Sequence, residues 1–246
     1  MIRRCNSIGS KTVVAAHLIV STNATTGLPM TDTLPLKPLD LPENEFASLV
    51  PNARLRQQFQ FILEVEKLKQ VIRRTPLLDA SRRENDAEHT WELVLMAMVL
   101  QEHANENVDL LRVLKMLIIH DIVEIDAGDT FIYDDAGALD QEEREIQAAT
   151  RIFGILPEDQ ALEFRALWDE FEARKTAEAQ FARAMDRLQP LLHNFFTSGG
   201  TWHTPGVTAP VVLDRKSPIS HASDTLWEAA QRIIAEGVER GFLKQS

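Results

Sequence analysis

The chain has 246 residues, 44% hydrophobic and 26% charged, so a sizeable core can form without disulfide or metal staples, and disorder of the whole chain is excluded. Lys and Arg number 26 against 37 Asp and Glu, a formal net charge of -11 that repels a polyanion and argues against long nucleic acids as partners. Cys5 is the single cysteine, which rules out an intrachain disulfide and a Cys-rich zinc site, leaves metal binding to His and carboxylates, and points to a reducing, cytoplasmic setting.

Residues 1 to 31 lack acids, begin with Arg3 and Arg4, and carry an apolar run from Val13 to Val20 that is too short to span a membrane. A targeting peptide is partly matched, but no small-residue cleavage site follows; the plainer reading is a mobile extension, with Met30 as an alternative start. Pro35, Pro38, Pro42 and Pro51 prevent long helices, so residues 1–52 are expected to be a flexible or irregular extension ahead of one domain at 53–246.

Within that domain the pattern is helical. Phe59, Ile62, Leu63, Val65, Leu68, Val71 and Ile72 recur at spacings of three and four, predicting one helix from Ala53 to Thr75 that Pro76 stops. A second opens at Asn85 or Asp86, with Glu88 placed for a capping box, and runs from His89 through Leu100. A third is predicted to start near Asp109, pass through His120 and Asp121, and end by Gly128. Acidic amphipathic helices follow at 140–153 and 158–173, the first opening on the acid cluster Asp140 to Glu145. Next comes a helix at 176–197 with a kink at Pro190, then a loop in which Val211 to Leu213 hint at a strand, then a helix at 220–240. The expected fold class is all-α, a helical bundle.

His120 and Asp121 stand inside an apolar run, Leu117 to Ile119 before them and Ile122 and Val123 after. A buried carboxylate needs a partner or a metal, and a lone His-Asp pair is satisfied by a core hydrogen bond. More residues shift that balance. Glu124 follows His120 by four positions, on the same side of the predicted helix, and His89 opens another buried helix. Asp186 lies beside core-facing Met185, with Pro190 four residues on. Two imidazoles and two carboxylates suit Mn, Fe, Co, Ni or Zn more than Ca. His17, His103, His193, His203 and His221 lack paired acids at ligand spacing, although His193, seven after Asp186, could lie near the site; Trp91, Trp168, Trp202 and Trp227 read as core or interface.

His89, His120-Asp121 and Asp186 resemble the H…HD…D signature of the HD-domain metal-dependent phosphohydrolases, an all-helical superfamily. Arg74, Glu84 to His89, His120 to Glu124 and Gly128-Asp129-Thr130 are similar to its 5'-deoxynucleotidase branch, over a core of about 54–197. The resemblance implies one divalent ion (Mn, Co, Fe, Ni, Zn or Mg) held by His89, His120, Asp121 and Asp186, lowering the pKa of a water and neutralising phosphoryl charge. It implies that Glu124, Asp129 or both position that water or protonate the leaving 5'-oxygen, that Arg74 orients the phosphate, and that Thr130 meets the nucleotide. Thr75 stands where similar proteins can carry an aromatic residue, so discrimination against ribose should be weak. The substrate is expected to be a small nucleotide, no membrane partner is expected, and resemblance together with apolar Leu226, Trp227, Ile233 and Ile234 suggests a homodimer. The alternatives are an HD hydrolase of dNTP or (p)ppGpp, or a non-catalytic nucleotide sensor.

Overall fold

Pro42 and Pro51 bracket a two-turn helix, α1 (Glu43–Leu49), inside the stretch expected to be irregular. The computed structural model describes Leu39 and residues 41–246; the expectations for Val13 to Val20, Met30 and the rest of the first residues lie outside the described residues. In α2 (Ala53–Val65) the Asn52 side chain accepts a hydrogen bond from the Leu55 N–H at 3.0 Å, which starts the helix.

The long first helix predicted to reach Thr75 stops at Val65. A 3₁₀ turn at Glu66–Gln70 follows, and β1 (Ile72–Pro76) then pairs antiparallel with β2 (Arg83–Asn85). Branched Val71, Ile72 and Thr75 favour extended backbone, and Pro76 pushes the residue before it out of the helical region. The consequence is chemical, because neighbouring side chains on a strand point to opposite faces. Arg73 is turned inward and Arg74 is exposed.

α3 (Asp86–Leu100) begins with the expected capping box: Asn85 accepts from the Glu88 N–H at 3.0 Å, and Glu88 accepts from the Asn85 N–H at 3.1 Å. α4 (Leu110–Ile119) starts where Asp109 accepts from the Arg112 N–H, but it does not pass through His120 as a continuous helix. Residues His120–Val123 form a 3₁₀ turn, and α5 (Glu124–Ala127) ends at Gly128, whose φ of +76° suits glycine and redirects the chain to Asp129. α6 (Gln141–Phe153) and α7 (Glu158–Ala173) lie where expected.

α8 (Ala177–Phe196) is the centre of the packing. Thr176 caps it, Phe181, Met185, Leu188 and Leu191 are buried along it, and it lies against α3, α4 and α7. The strand hint at Val211 to Leu213 is wrong: these residues belong to α9 (Ala209–Lys216), which starts with Pro210 in its first turn, where a missing N–H costs nothing. The last predicted helix is broken in two, α10 (Ile219–Ala222) and α11 (Asp224–Glu239), because buried Ser223 is extended, caps Leu226 and donates to the His103 carbonyl at 2.6 Å. Leu226 and Ile234 are buried, and Trp227 and Ile233 pack on the same core, so the apolar face that suggested a homodimer is used within the chain. Among the described residues no helix is long and apolar enough to cross a membrane.

Candidate metal centre and active site

Three elements bring their polar residues to one buried point. His89 comes from the first turn of α3, His120 from the 3₁₀ turn and Asp186 from α8, and each offers a donor atom within 4.8 Å of the others. The ring N–H at His120 Nδ1 donates to the Leu117 carbonyl at 2.8 Å, which leaves the lone pair on Nε2. That nitrogen is buried and has no hydrogen-bond partner. His89 is oriented in the same way, with Nδ1 donating to Gln189 Oε1 at 3.2 Å and Nε2 facing Asp186 Oδ1 at 3.2 Å. Lone pairs facing one another call for a positive charge between them, so the donor set fits a divalent ion. Asp121 borders this group, its Oδ1 3.0 Å from His120 Nε2 and its Oδ2 3.9 Å from His89 Nε2. Where a proton rather than an ion supplies that positive charge it sits on His120 Nε2: burial opposes it, but the Asp121 carboxylate outweighs burial and lifts the imidazole to about 9, and Asp121, burial notwithstanding, is drawn down to about 2 by His120.

Behind His89 lies a hydrogen-bonded shell. Gln189, fully buried, donates through Nε2 to Glu84 at 2.8 Å and to Glu92 at 2.7 Å while its oxygen holds His89. His193 donates from Nδ1 to the Pro76 carbonyl at 2.9 Å and meets Glu92 at 3.0 Å; burial disfavours its charge, yet Glu92 raises its pKa. So the passing suggestion that His193 lies near the site holds. The signal was in the sequence, since 186, 189 and 193 share one face of a helix.

A second acidic group adjoins the first. Asp86, Glu124 and Asp129 offer oxygens within 4.8 Å of one another, and Asp86 Oδ2 and Glu124 Oε2 have no hydrogen-bond partner. Burial, reinforced by Asp121 and Asp86, pushes Glu124 well above the usual carboxylate range, and burial with Asp121 pushes Asp86 up to about 7. Two carboxyls placed in this way keep a proton between them.

Arg73 is the counter-charge of this region. Its guanidinium donates to Glu84 at 3.2 Å, Asp86 at 3.0 Å and Asp121 at 3.2 Å, and lies 3.6 Å from Asp129. Arg74, which was expected to end a helix, is on the strand and stacks over the Phe131 ring at 4.6 Å. It lines a cavity of about 650 Å³ together with buried Thr75, Asp129 and Thr130. The Thr130 hydroxyl accepts from Arg144 at 3.3 Å. Residues that the sequence reading passed over also line this cavity or its floor: Arg73, Arg183, Arg187 and Lys216.

A model of the HD domain family matches residues 65–227. A predicted metal-dependent phosphohydrolase from Magnetospirillum magnetotacticum MS-1, of known structure, is 54% identical with a TM-score of 0.74, over 78% of this chain and all of that one. The PH0347 protein from Pyrococcus horikoshii OT3, at 19% identity and a TM-score of 0.54 over 71% of this chain and 99% of that one, shares the fold. 5'-Deoxynucleotidase HDDC2 of Homo sapiens is 30% identical over 138 residues, 56% of this chain and 66% of that protein, so the chain spans just under two thirds of that relative's length. The domain match over most of the chain and the full coverage of a relative 54% identical place this chain in the HD domain family of metal-dependent phosphohydrolases.

Proposed function

We propose that the protein removes the 5'-phosphate from nucleoside monophosphates. The observation that carries this is the juxtaposition of buried His89, His120 and Asp186 with the proton-holding acids Asp86, Glu124 and Asp129, with Asp121 between them, beside a cavity of mononucleotide size. Relatives matched over 56% of the chain are 5'-deoxynucleotidases, which supports the substrate class.

In this reading His89, His120, Asp121 and Asp186 would hold a divalent ion, which when bound would supply Lewis acidity. Gln189 and the Leu117 carbonyl fix the imidazole tautomers, and Arg73 holds Asp121 in place. Water oxygen attacks phosphorus, the bond from phosphorus to the 5'-oxygen breaks, and Glu124 delivers its proton to the leaving oxygen. Asp129, on the same cavity wall, accepts the proton of the attacking water. Arg74 orients the phosphate, Thr130 meets the nucleotide, and Thr75 lies beside the sugar. Dephosphorylation in the cytoplasm by a homodimer completes the reading; sedimentation velocity showing a monomer would remove that last element.

The test is phosphate release from mono-, di- and triphosphates of nucleosides, and from a guanosine tetraphosphate, with Mn, Co and Mg added separately. Release from monophosphates alone is expected. Preference for a triphosphate or for the tetraphosphate would move the protein to another substrate class, and no release from any of them would favour a nucleotide sensor.

A further inference from the structure

Most of the arginines that line the cavity have carboxylates of their own: Arg165 pairs with Asp169 at 2.7 Å, Arg174 with Glu172 at 3.2 Å and Arg215 with Asp135 at 2.5 Å. Arg183, Arg187 and Lys216 do not divide in this way. Arg183 and Arg187 approach the same oxygen, Asp186 Oδ2, at 3.4 and 3.6 Å. Lys216, the last residue of α9, is 1% exposed and lines the cavity, and among the described residues it makes no hydrogen bond or ion pair. Two half-buried guanidiniums therefore share one carboxylate oxygen, a buried ammonium lining the same cavity has no partner of its own, and that carboxylate is a proposed metal ligand. Keeping such charges out of water is costly unless an anion joins them.

We propose that Arg183, Arg187 and Lys216 form an anion site that grips the phosphoryl oxygens of the substrate from the side of Asp186, deep in the cavity. An anion held there touches the cations on one side and the ion-binding residues on the other, which is where a phosphate monoester must sit to be cleaved. Two elements that the sequence reading did not connect, α8 and α9, thus build the phosphate subsite. Its ligand class, a phosphoryl dianion, rests on the phosphomonoesterase reading; the site itself rests on the cation geometry.

The experiment is calorimetric titration of inorganic phosphate into the full-length, Mn-loaded protein, with metal content checked by elemental analysis. Lys216→Met should bind phosphate at least about tenfold more weakly at unchanged metal content, the scale of a lost charge-assisted hydrogen bond. Lys216→Arg should recover most of that loss. In the absence of phosphate Lys216→Met should melt no lower than the unmutated protein, because it removes a buried like charge; phosphate should raise the melting point of the unmutated protein and not of the variant. Phosphate affinity within about twofold of the unmutated protein would overturn the proposal. If Lys216→Met does not fold, Arg187→Gln is held to the same criterion. A protein that binds phosphate through Lys216 but hydrolyses no nucleotide keeps this site and loses the nucleotidase reading. One that hydrolyses monophosphates while Lys216→Met binds phosphate normally keeps that reading and loses the site.

Discussion

Replacing Arg73 by Met removes the guanidinium that faces Glu84, Asp86 and Asp121 at 3.0 to 3.2 Å and keeps a long apolar stem. All three carboxylates are buried, Asp86 completely. Taking one partner from a buried ion pair costs about 3 to 5 kcal/mol, because the opposite charge stays behind without compensation. In a domain of this size each kcal/mol moves the melting point by about 2 to 4 °C, so Arg73→Met should melt roughly 6 to 20 °C lower at about pH 8. The loss should shrink in acid. Asp86 is lifted to about 7 in the folded protein, above its ordinary value near about 3.9, so between these limits the folded state binds more protons than the unfolded one and stability falls as pH rises. Without Arg73 the lift grows and the fall steepens, while at about pH 5 Asp86 is protonated and leaves no bare charge. Differential scanning calorimetry of the chelated proteins at the two pH values measures this. A melting point within about 2 °C of the unmutated protein at the higher pH, or a loss that grows in acid, would refute Arg73 as the buried counter-charge.

Asp121→Ala should lose the ion and all activity, whereas Gln189→Leu should weaken metal affinity by about 10- to 100-fold through the freed His89 ring; equilibrium dialysis with Mn or Co distinguishes them, and unchanged affinity in either would sink its role. Glu124→Gln should keep the ion by elemental analysis and lose roughly 100-fold or more in kcat, and full turnover would exclude Glu124 as the proton donor. Thr75→Trp should shift kcat/KM toward dAMP over AMP, from near parity in the unmutated protein by up to about 100-fold; a strong deoxy preference already present with Thr75 would mean another residue walls off the ribose.

The elements whose signals are local were legible. Capping at Asn85, Asp109 and Thr176 and the apolar spacing of Phe181, Met185 and Leu188 need only a few neighbouring residues to be read. The first domain helix was overextended because Val71 and Ile72 satisfy a helical stripe as well as a strand, and a two-stranded ribbon depends on its distant partner, Arg83–Asn85. That error hid the chemistry of Arg73, since a helix end would have left it in water. Lys216 was invisible for a different reason. Nothing in the sequence next to it tells that α9 is pulled against the C-terminal end by the Ala209 N–H donating to the Lys244 carbonyl at 2.8 Å, or that its last side chain then lines the same cavity as the α8 arginines.

The break in the helix at His120 is what lets one short segment serve two tasks. In a continuous helix His120 and Glu124 would stack on one face, and Glu124 would join the imidazoles as a further anionic ligand, bound to lose its proton. The 3₁₀ turn at His120–Val123 rotates the chain, so that His120 faces His89 and Asp186 while Glu124 faces Asp86 and Asp129. Asp121, between them, contacts His120 with one oxygen and Arg73 with the other. An ion beside Asp121 favours a deprotonated carboxylate there, whereas burial and the acids around Glu124 favour a protonated one. A phosphomonoesterase needs both states at once, a charged ligand and a charged proton donor's opposite, a neutral acid. The local change of helix type, rather than the identity of the residues alone, separates them by one turn of chain.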